Sequence, residues 1–386
     1  MSGPLHGIKV LDVTTSLSGP LAAGILADLG ADVIKIERAS APDRARFSGT
    51  RQGDISAMFH MANRGKRSIT LDLREPADLE TAHALARDAD VFVENFRVGV
   101  TKRLGIDYAT LSALNERLIY VSVNGFGSTG PYADRPAFDS LLQAYGGIAA
   151  LQANDRGEPQ LVGHAVVDKV TGLIGAQAAL SALFARERGA GGQHIEVSML
   201  EAAAWFSFLD TAGSTILPDA PHPAGSDDAT SGKRITVRFA DGWGMLSLGH
   251  DDSFRGTCEI FEVDLDGKQH LLTMQGRDAD RLGYEAVLEQ FRAKAASLPL
   301  TPTAHKLLAA GAMFAEVLEP AQIPANEQAV ARRLFIESRH PVAGRIVEPR
   351  LPAVYSGTQP DDPLPSPALG QHNDEVRSEL LPRSHA

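Results

Sequence analysis

Between Ile8 and Val123, short apolar runs alternate with stretches of helical spacing, and the joints between them are brief. Ile8 to Val13 reads as a buried strand, and Thr14 to Gly19 as a loop of small residues. Pro20 suits a first helical position, Leu21, Ile25, Leu26 and Leu29 follow at helical spacing, and Gly30 ends the run. Val33 to Glu37 is a second strand, which completes a βαβ unit with parallel strands. The alternation continues with a strand at Ser68–Leu73, a helix at Pro76–Arg87 and a strand at Asp90–Glu94. Helical segments at Val100–Gly105 and Tyr108–Asn115 lead to a strand at Leu118–Val123. Such a pattern specifies an α/β fold with a Rossmann-like, doubly wound parallel sheet. Functional groups then gather at the carboxyl ends of the strands, which here are Thr14–Gly19, Arg38, Asn95 and Asn124–Gly130.

Beyond the sheet, Phe138–Ala150 and Asp168–Glu187 read as helices, and His194–Met199 as a strand running into a further helix. Residues 217–234 are polar and turn-forming. Ile235–Phe239 and Trp243–Leu248 flank Asp241-Gly242, a hairpin signal. These features predict a large domain over 1–210, completed by 330–386, and a smaller α+β domain over 225–325, with linkers at 211–234 and 326–345. The proline-rich chain after Pro341 is expected to return to the first domain.

Composition removes several function classes. Of 386 residues, 37 are Lys or Arg against 48 Asp or Glu, so the formal charge is -11 and a nucleic-acid partner is not expected. Cys258 is the single cysteine, which excludes an internal disulfide and a cysteine-rich zinc site and fits a cytoplasmic location. It sits in a polar stretch and receives no role. Met1–His6 does not read as a signal peptide, and the most apolar helical stretch, 170–187, is interrupted by Gly172, Gly175, Gln177 and Ser181, so no membrane span is expected.

No Gly-x-Gly-x-x-Gly follows the first strand, and P-loop, His-Glu-x-x-His and Gly-x-Ser-x-Gly motifs are absent. What remains is a scatter of basic and amide groups at strand ends: Arg38, Lys66, Arg67, Asn95, Lys102 and Arg103. Converging on one ligand, they would neutralise a polyanion. Any one of them is more often plain solvated surface, and spacing alone does not overturn that.

The run "LHGIKVLDVTTSLSGPLAAGILADLGADVIKIER" at 5–38 resembles the opening of the class III CoA-transferases, the CaiB/BaiF family. That family includes the formyl-CoA:oxalate and carnitine-type CoA-transferases and the α-methylacyl-CoA racemases. The resemblance continues through Asn63–Ile69, "DVFVENFRVGVTKRLG" at 90–105, "LIYVSVNGFGSTGPYADRPAFD" at 118–139 and the stretch 163–200, with weaker echoes at 333–346 and 367–376. It is poor from 210 to 325. It implies acyl-CoA and small carboxylic acids as substrates, with CoA a substrate and no permanently bound cofactor. The family's CoA contacts map onto Ser16, Leu17, Ser18, Arg38, Asn63, Lys66, Asn95, Arg103, Leu104 and Phe138, with Arg38, Lys66 and Arg103 on the adenosine phosphates.

The family's catalytic aspartate maps onto Asp168. On its own, Asp168 reads as the N-cap of the helix that follows, and the two roles are compatible. A helix N-terminus stabilises a carboxylate by about 0.3–1 kcal/mol, and a carboxylate can attack a thioester because a thiolate leaves readily. The resemblance implies an aspartyl–acyl anhydride, then an aspartyl-CoA thioester, shielded from water. The family's glycine tetrad has no counterpart in "AGSDDATSG" at 224–232, a segment compatible with a mobile lid, and the departure leaves the shielding loop undetermined by the sequence.

Racemases of the family place a His where this chain has Phe138, which carries no proton, so α-proton chemistry is disfavoured. The branches share an acidic or polar residue at the next position, here Asp139. His164, four residues before Asp168, is a candidate to tune it. A non-catalytic acyl-CoA-binding role is the third alternative. The resemblance further implies an interlocked homodimer. The acids exchanged are not legible.

Overall fold

The structure, a computed structural model, describes residues 3–154, 156–221 and 234–380. The chain divides into two compact units, 1–209 with 331–386, and 210–330. The segment 224–232 lies outside the described residues.

The first unit opens with β1 (Lys9–Asp12), α1 (Ser18–Asp28) and β2 (Asp32–Glu37). A small hairpin of β3 (Arg51–Gln52) and β4 (Ile55–Ser56) precedes α2 (Ala57–Asn63). Then come β5 (Arg67–Thr70), α3 (Pro76–Arg87), β6 (Val91–Glu94), α4 (Val100–Arg103), α5 (Tyr108–Leu114) and β7 (Ile119–Asn124). After them follow α6 (Asp139–Tyr145), α7 (Ile148–Leu151), α8 (Val166–Glu187), β8 (Gln193–Ser198) and α9 (Met199–Thr211).

Six strands form one parallel sheet in the order β5-β2-β1-β6-β7-β8. Side chains alternate across a strand, so each buried strand supplies two cores. Val10, Val33, Val91 and Val121 face α1 and α8, packing on Ala23, Leu26, Ala179 and Leu183. Leu11, Ile34, Phe92 and Tyr120 face the other way, onto Ala82 and Leu85 of α3 and Leu111 of α5. The strand order reverses between β1 and β6, which opens a crevice at their carboxyl ends.

Several boundaries differ from expectation. α1 starts at Ser18, two residues before Pro20. The helix expected over 138–150 is two, α6 and α7, parted at Gly146 and Gly147; Gly147 has φ +83°, and a Cβ on Gly146 would lie 2.6 Å from Ala203 Cβ. α8 begins at Val166, so Asp168 is its third residue and not its cap. With 22 residues, α8 is long and apolar enough to cross a membrane, contrary to the sequence expectation, yet half of its most apolar window is buried against the protein.

The second unit contains α10 (Gly213–Ile216), a hairpin of β9 (Arg234–Arg238) and β10 (Trp243–Ser247), and β11 (Met313–Glu316), paired with β10. Its helices are α11 (Asp251–Ile260), α12 (Met274–Ala279), α13 (Arg281–Ala295) and α14 (Leu300–Ala309). Phe254, Phe261 and Phe291 anchor its core. Cys258 belongs to that core despite its polar neighbours, and burial pushes its thiol up to about 12.

After α15 (Glu327–Ala331), the segment read as a linker is a hairpin, β12 (Phe335–His340) with β13 (Gly344–Pro349). The tail then lies on the first unit: Ser68 O accepts from His372 N at 2.9 Å. Asn373 Oδ1, at the start of α16 (Asn373–Glu379), accepts from Thr70 N at 2.8 Å.

Candidate active site

The crevice is built on buried charge. Asp12, at the end of β1, is fully covered, and its Oδ1 accepts from Thr14 N at 2.9 Å. Lys66 Nζ donates to Asp12 Oδ2 and Pro20 O, both at 2.7 Å, and to Asn63 Oδ1 at 2.9 Å. Lys35 Nζ donates to Thr14 O at 2.8 Å and pairs with Asp43 at 3.2 Å. Burial opposes ionisation of Asp12, but Lys35 and Lys66 outweigh it and hold the carboxyl below its ordinary range. For Lys66 burial dominates and brings the ammonium down to about 8, although Asp12 pulls it up.

This network sets the loop after β1. Asp43 Oδ1 accepts from Ser16 N at 2.9 Å, and Ser16 has φ 75°, a left-handed conformation costly for a residue with a Cβ. Asn95, after β6, bridges the crevice: its Oδ1 accepts from Thr15 N at 2.9 Å and its Nδ2 donates to Thr15 O at 2.7 Å. The loop therefore delivers Ser18 to the first position of α1.

α8 lies close to α1 because glycines face it. A Cβ on Gly172 would sit 3.0 Å from three Leu21 side-chain atoms, and one on Gly175 3.2 Å from Ala22 Cβ. Asp168, in the first turn of α8, thereby comes to face Ser18, whose hydroxyl and backbone N–H favour the ionised carboxylate. The capping role falls to Asp139: its Oδ1 accepts from Val167 N at 2.8 Å and Asp168 N at 3.0 Å. Gln143 Nε2 donates to Asp139 Oδ2 at 2.6 Å. Burial, then the negative charge of Asp139, pushes Asp168 up to about 6, and Ser18 opposes the rise.

Asp168 opens into a cavity of about 480 Å³ that Ser16, Ser18, Asn95 and Phe138 also line. A second cavity, of about 290 Å³, shares Thr15, Ala41 and Phe96 with it and is lined by Arg38, Leu104 and Arg74. Together they make a groove along the carboxyl edge of the sheet. Seven of the eleven residues singled out from the sequence thus line it: Ser16, Ser18, Asn95, Phe138 and Asp168 at one end, Arg38 and Leu104 at the other.

Four do not. Leu17 is the N-cap of α1, and Arg103 is exposed at the end of α4. Asn63 and Lys66 are buried and bonded to each other, and the Lys66 ammonium also donates to Asp12. His164 is exposed and its Nδ1 lies 3.3 Å from Lys169 Nζ; it is not among the groups that shift Asp168. Sequence reasoning passed over Arg74, Arg135 and the capping role of Asp139. For the last, the only local signal was an acidic residue at the start of a helical run.

A Rossmann-order sheet with a raised aspartate in its switch-point crevice defines an α/β protein with a partly buried carboxylate set at the carboxyl edge of its sheet. The model of CoA-transferase family III matches residues 5–373. The succinate–glutarate CoA-transferase of Agrobacterium fabrum is 32% identical over 98% of this chain and 96% of its own length. The acetyl-CoA:oxalate CoA-transferase of Acetobacter aceti is 33% identical with the same coverage. Among solved structures, a CaiB/BaiF family protein from Brucella suis superposes with TM-score 0.87 at 31% identity, over 99% of this chain and 100% of that one. The chain belongs to CoA-transferase family III.

Proposed function

We propose that this protein moves CoA from an acyl-CoA to a free carboxylic acid, with Asp168 as the nucleophile. The observation that carries the reading is the Asp168 carboxylate itself. It is partly desolvated, raised to about 6, still mainly ionised near neutral pH, and open to the groove.

An Asp168 oxygen attacks the thioester carbonyl; the carbon–sulfur bond breaks and CoA leaves as thiolate. The thiolate attacks Cγ of Asp168, breaks the anhydride and releases the donor acid. The acceptor carboxylate then displaces the thiolate from Cγ, and the thiolate attacks the acceptor's acyl carbon. The new acyl-CoA forms and the Asp168 carboxylate returns. Ser18 faces the Asp168 carboxylate and favours its ionised form, while Arg38 lines the far end, where the CoA phosphates would lie.

Succinate, glutarate and oxalate in the names of the relatives support short dicarboxylic acids as the substrates. α-Proton chemistry has no comparable support, because Phe138 at the groove mouth has no proton to give. A homodimer is the second part of this reading. Phe184, Trp205 and Leu209 are 66%, 62% and 70% exposed, apolar area that a second copy would cover.

The test is mass spectrometry of protein incubated with succinyl-CoA and hydroxylamine. A hydroxamate at Asp168 is expected, together with a loss of turnover of about a thousandfold or more in Asp168→Asn. Wild-type turnover in that variant overturns the proposal.

A further inference from the structure

Three cations lining the Asp168 cavity, Arg44, Arg97 and Arg135, are neither part of the buried network nor among the residues that the sequence assigned. Arg135 lines the cavity that holds Asp168, on the connection between β7 and α6 that also carries Phe138 and ends at Asp139. Its guanidinium is held firmly for an exposed side chain. Cζ lies 3.6 Å from the centroid of the Tyr132 ring, and Nη1 donates to Tyr145 Oη at 2.8 Å. The backbone N–H of Arg135 donates to Tyr132 O at 2.9 Å. Both tyrosines pack against Phe126, edge to face, with centroids 5.8 and 5.3 Å apart.

A guanidinium carries five N–H donors. Tyr145 takes one, and stacking on Tyr132 covers a face but leaves the edge open. Among the described residues no carboxylate pairs with it. Arg44 and Arg97 line the same cavity, but from the loops after β2 and β6, the loops that also carry Arg38 and Asn95. A clamped, always-charged fork without a carboxylate partner, lining the same cavity as Asp168, is suited to a planar anion.

We propose that Arg135 determines specificity by binding the second carboxylate of a dicarboxylic substrate. The inference rests on the CoA-transfer reading of Asp168 and deepens it. In that reaction the donor acyl group and the acceptor acid occupy the acyl site in turn, so one guanidinium serves both. The carboxylate that reacts is at Asp168, and the one that does not react pairs with Arg135.

The test compares glutarate with pentanoate, acids of equal length, as acceptors in wild type, Arg135→Gln and Arg135→Lys. In Arg135→Gln the KM for glutarate is expected to rise about 10- to 100-fold, with little change for pentanoate. Arg135→Lys, which keeps the charge without the fork, is expected to fall between. Equal losses for both acids, or no loss for either, overturn the proposal. Since CoA phosphates are anions too, binding of desulfo-CoA is measured alongside. Weakening there with an unchanged glutarate KM assigns Arg135 to CoA and also overturns it. Calorimetric binding of glutarate to Asp168→Asn and to Arg135→Gln separates the two claims. Binding that survives the first change and is lost in the second supports Arg135 whether or not transfer proceeds through Asp168; equal binding to both overturns the role given to Arg135.

Discussion

Asp139 caps the helix that carries Asp168: one of its carboxylate oxygens accepts the Asp168 backbone N–H at 3.0 Å. The same carboxylate raises the proton affinity of the Asp168 side chain. One group thus orients the candidate nucleophile through the backbone and tunes it through space.

That arrangement fixes a pH profile. Burial and Asp139 raise Asp168 to about 6, and only its ionised form attacks. kcat/KM is expected to fall about tenfold per pH unit below that point. Asp139→Asn keeps an oxygen for the cap but removes the charge, so the inflection moves down. Ser18→Ala removes a hydroxyl that favours the ionised carboxylate, so it moves up. Rate–pH profiles of the two variants check the opposite signs.

Lys66 is expected to matter for stability more than for CoA affinity. Lys66→Met leaves Asp12 buried without its 2.7 Å partner, and breaking a buried pair costs about 3–5 kcal/mol. Chemical denaturation should show a loss of that size. A normal unfolding midpoint combined with a raised KM for acyl-CoA would return Lys66 to the phosphate site.

The backbone at Ser16 makes a further prediction. With φ at 75°, a glycine there costs nothing sterically, whereas a β-branched residue is strained by about 1–2 kcal/mol. Ser16→Gly should melt near the wild-type temperature and Ser16→Val clearly below it, with a higher KM for acyl-CoA, because this loop lines the groove.

The contact between α1 and α8 can be tested at Gly172. A Cβ there already lies 3.0 Å from Leu21, so Gly172→Val overpacks the contact by about 1–3 kcal/mol. It also parts Ser18 from Asp168, and kcat should fall more than the binding of desulfo-CoA weakens.

The sheet was legible because its signals are local. Strand runs such as Asp90–Glu94 and the helix Pro76–Arg87 are written in periodicity and end residues a few positions apart, and they recur in the structure at or near those bounds. Asp168, Arg38 and Asn95 were legible as candidates through long ordered motifs at strand and helix ends. What the local pattern could not show was which side chain meets which. Lys66 and Arg38 look alike as cations beside strands, yet one is sealed against Asp12 and the other lines the groove. Asp139 lies 29 residues before the backbone N–H it caps, and Arg135 becomes a clamped fork only where Tyr132 and Tyr145 come together. Periodicity within one segment decides which elements form and which faces are apolar. Burial, electrostatic neighbours and the shape of the groove come from packing between segments, and only the assembled fold settles them.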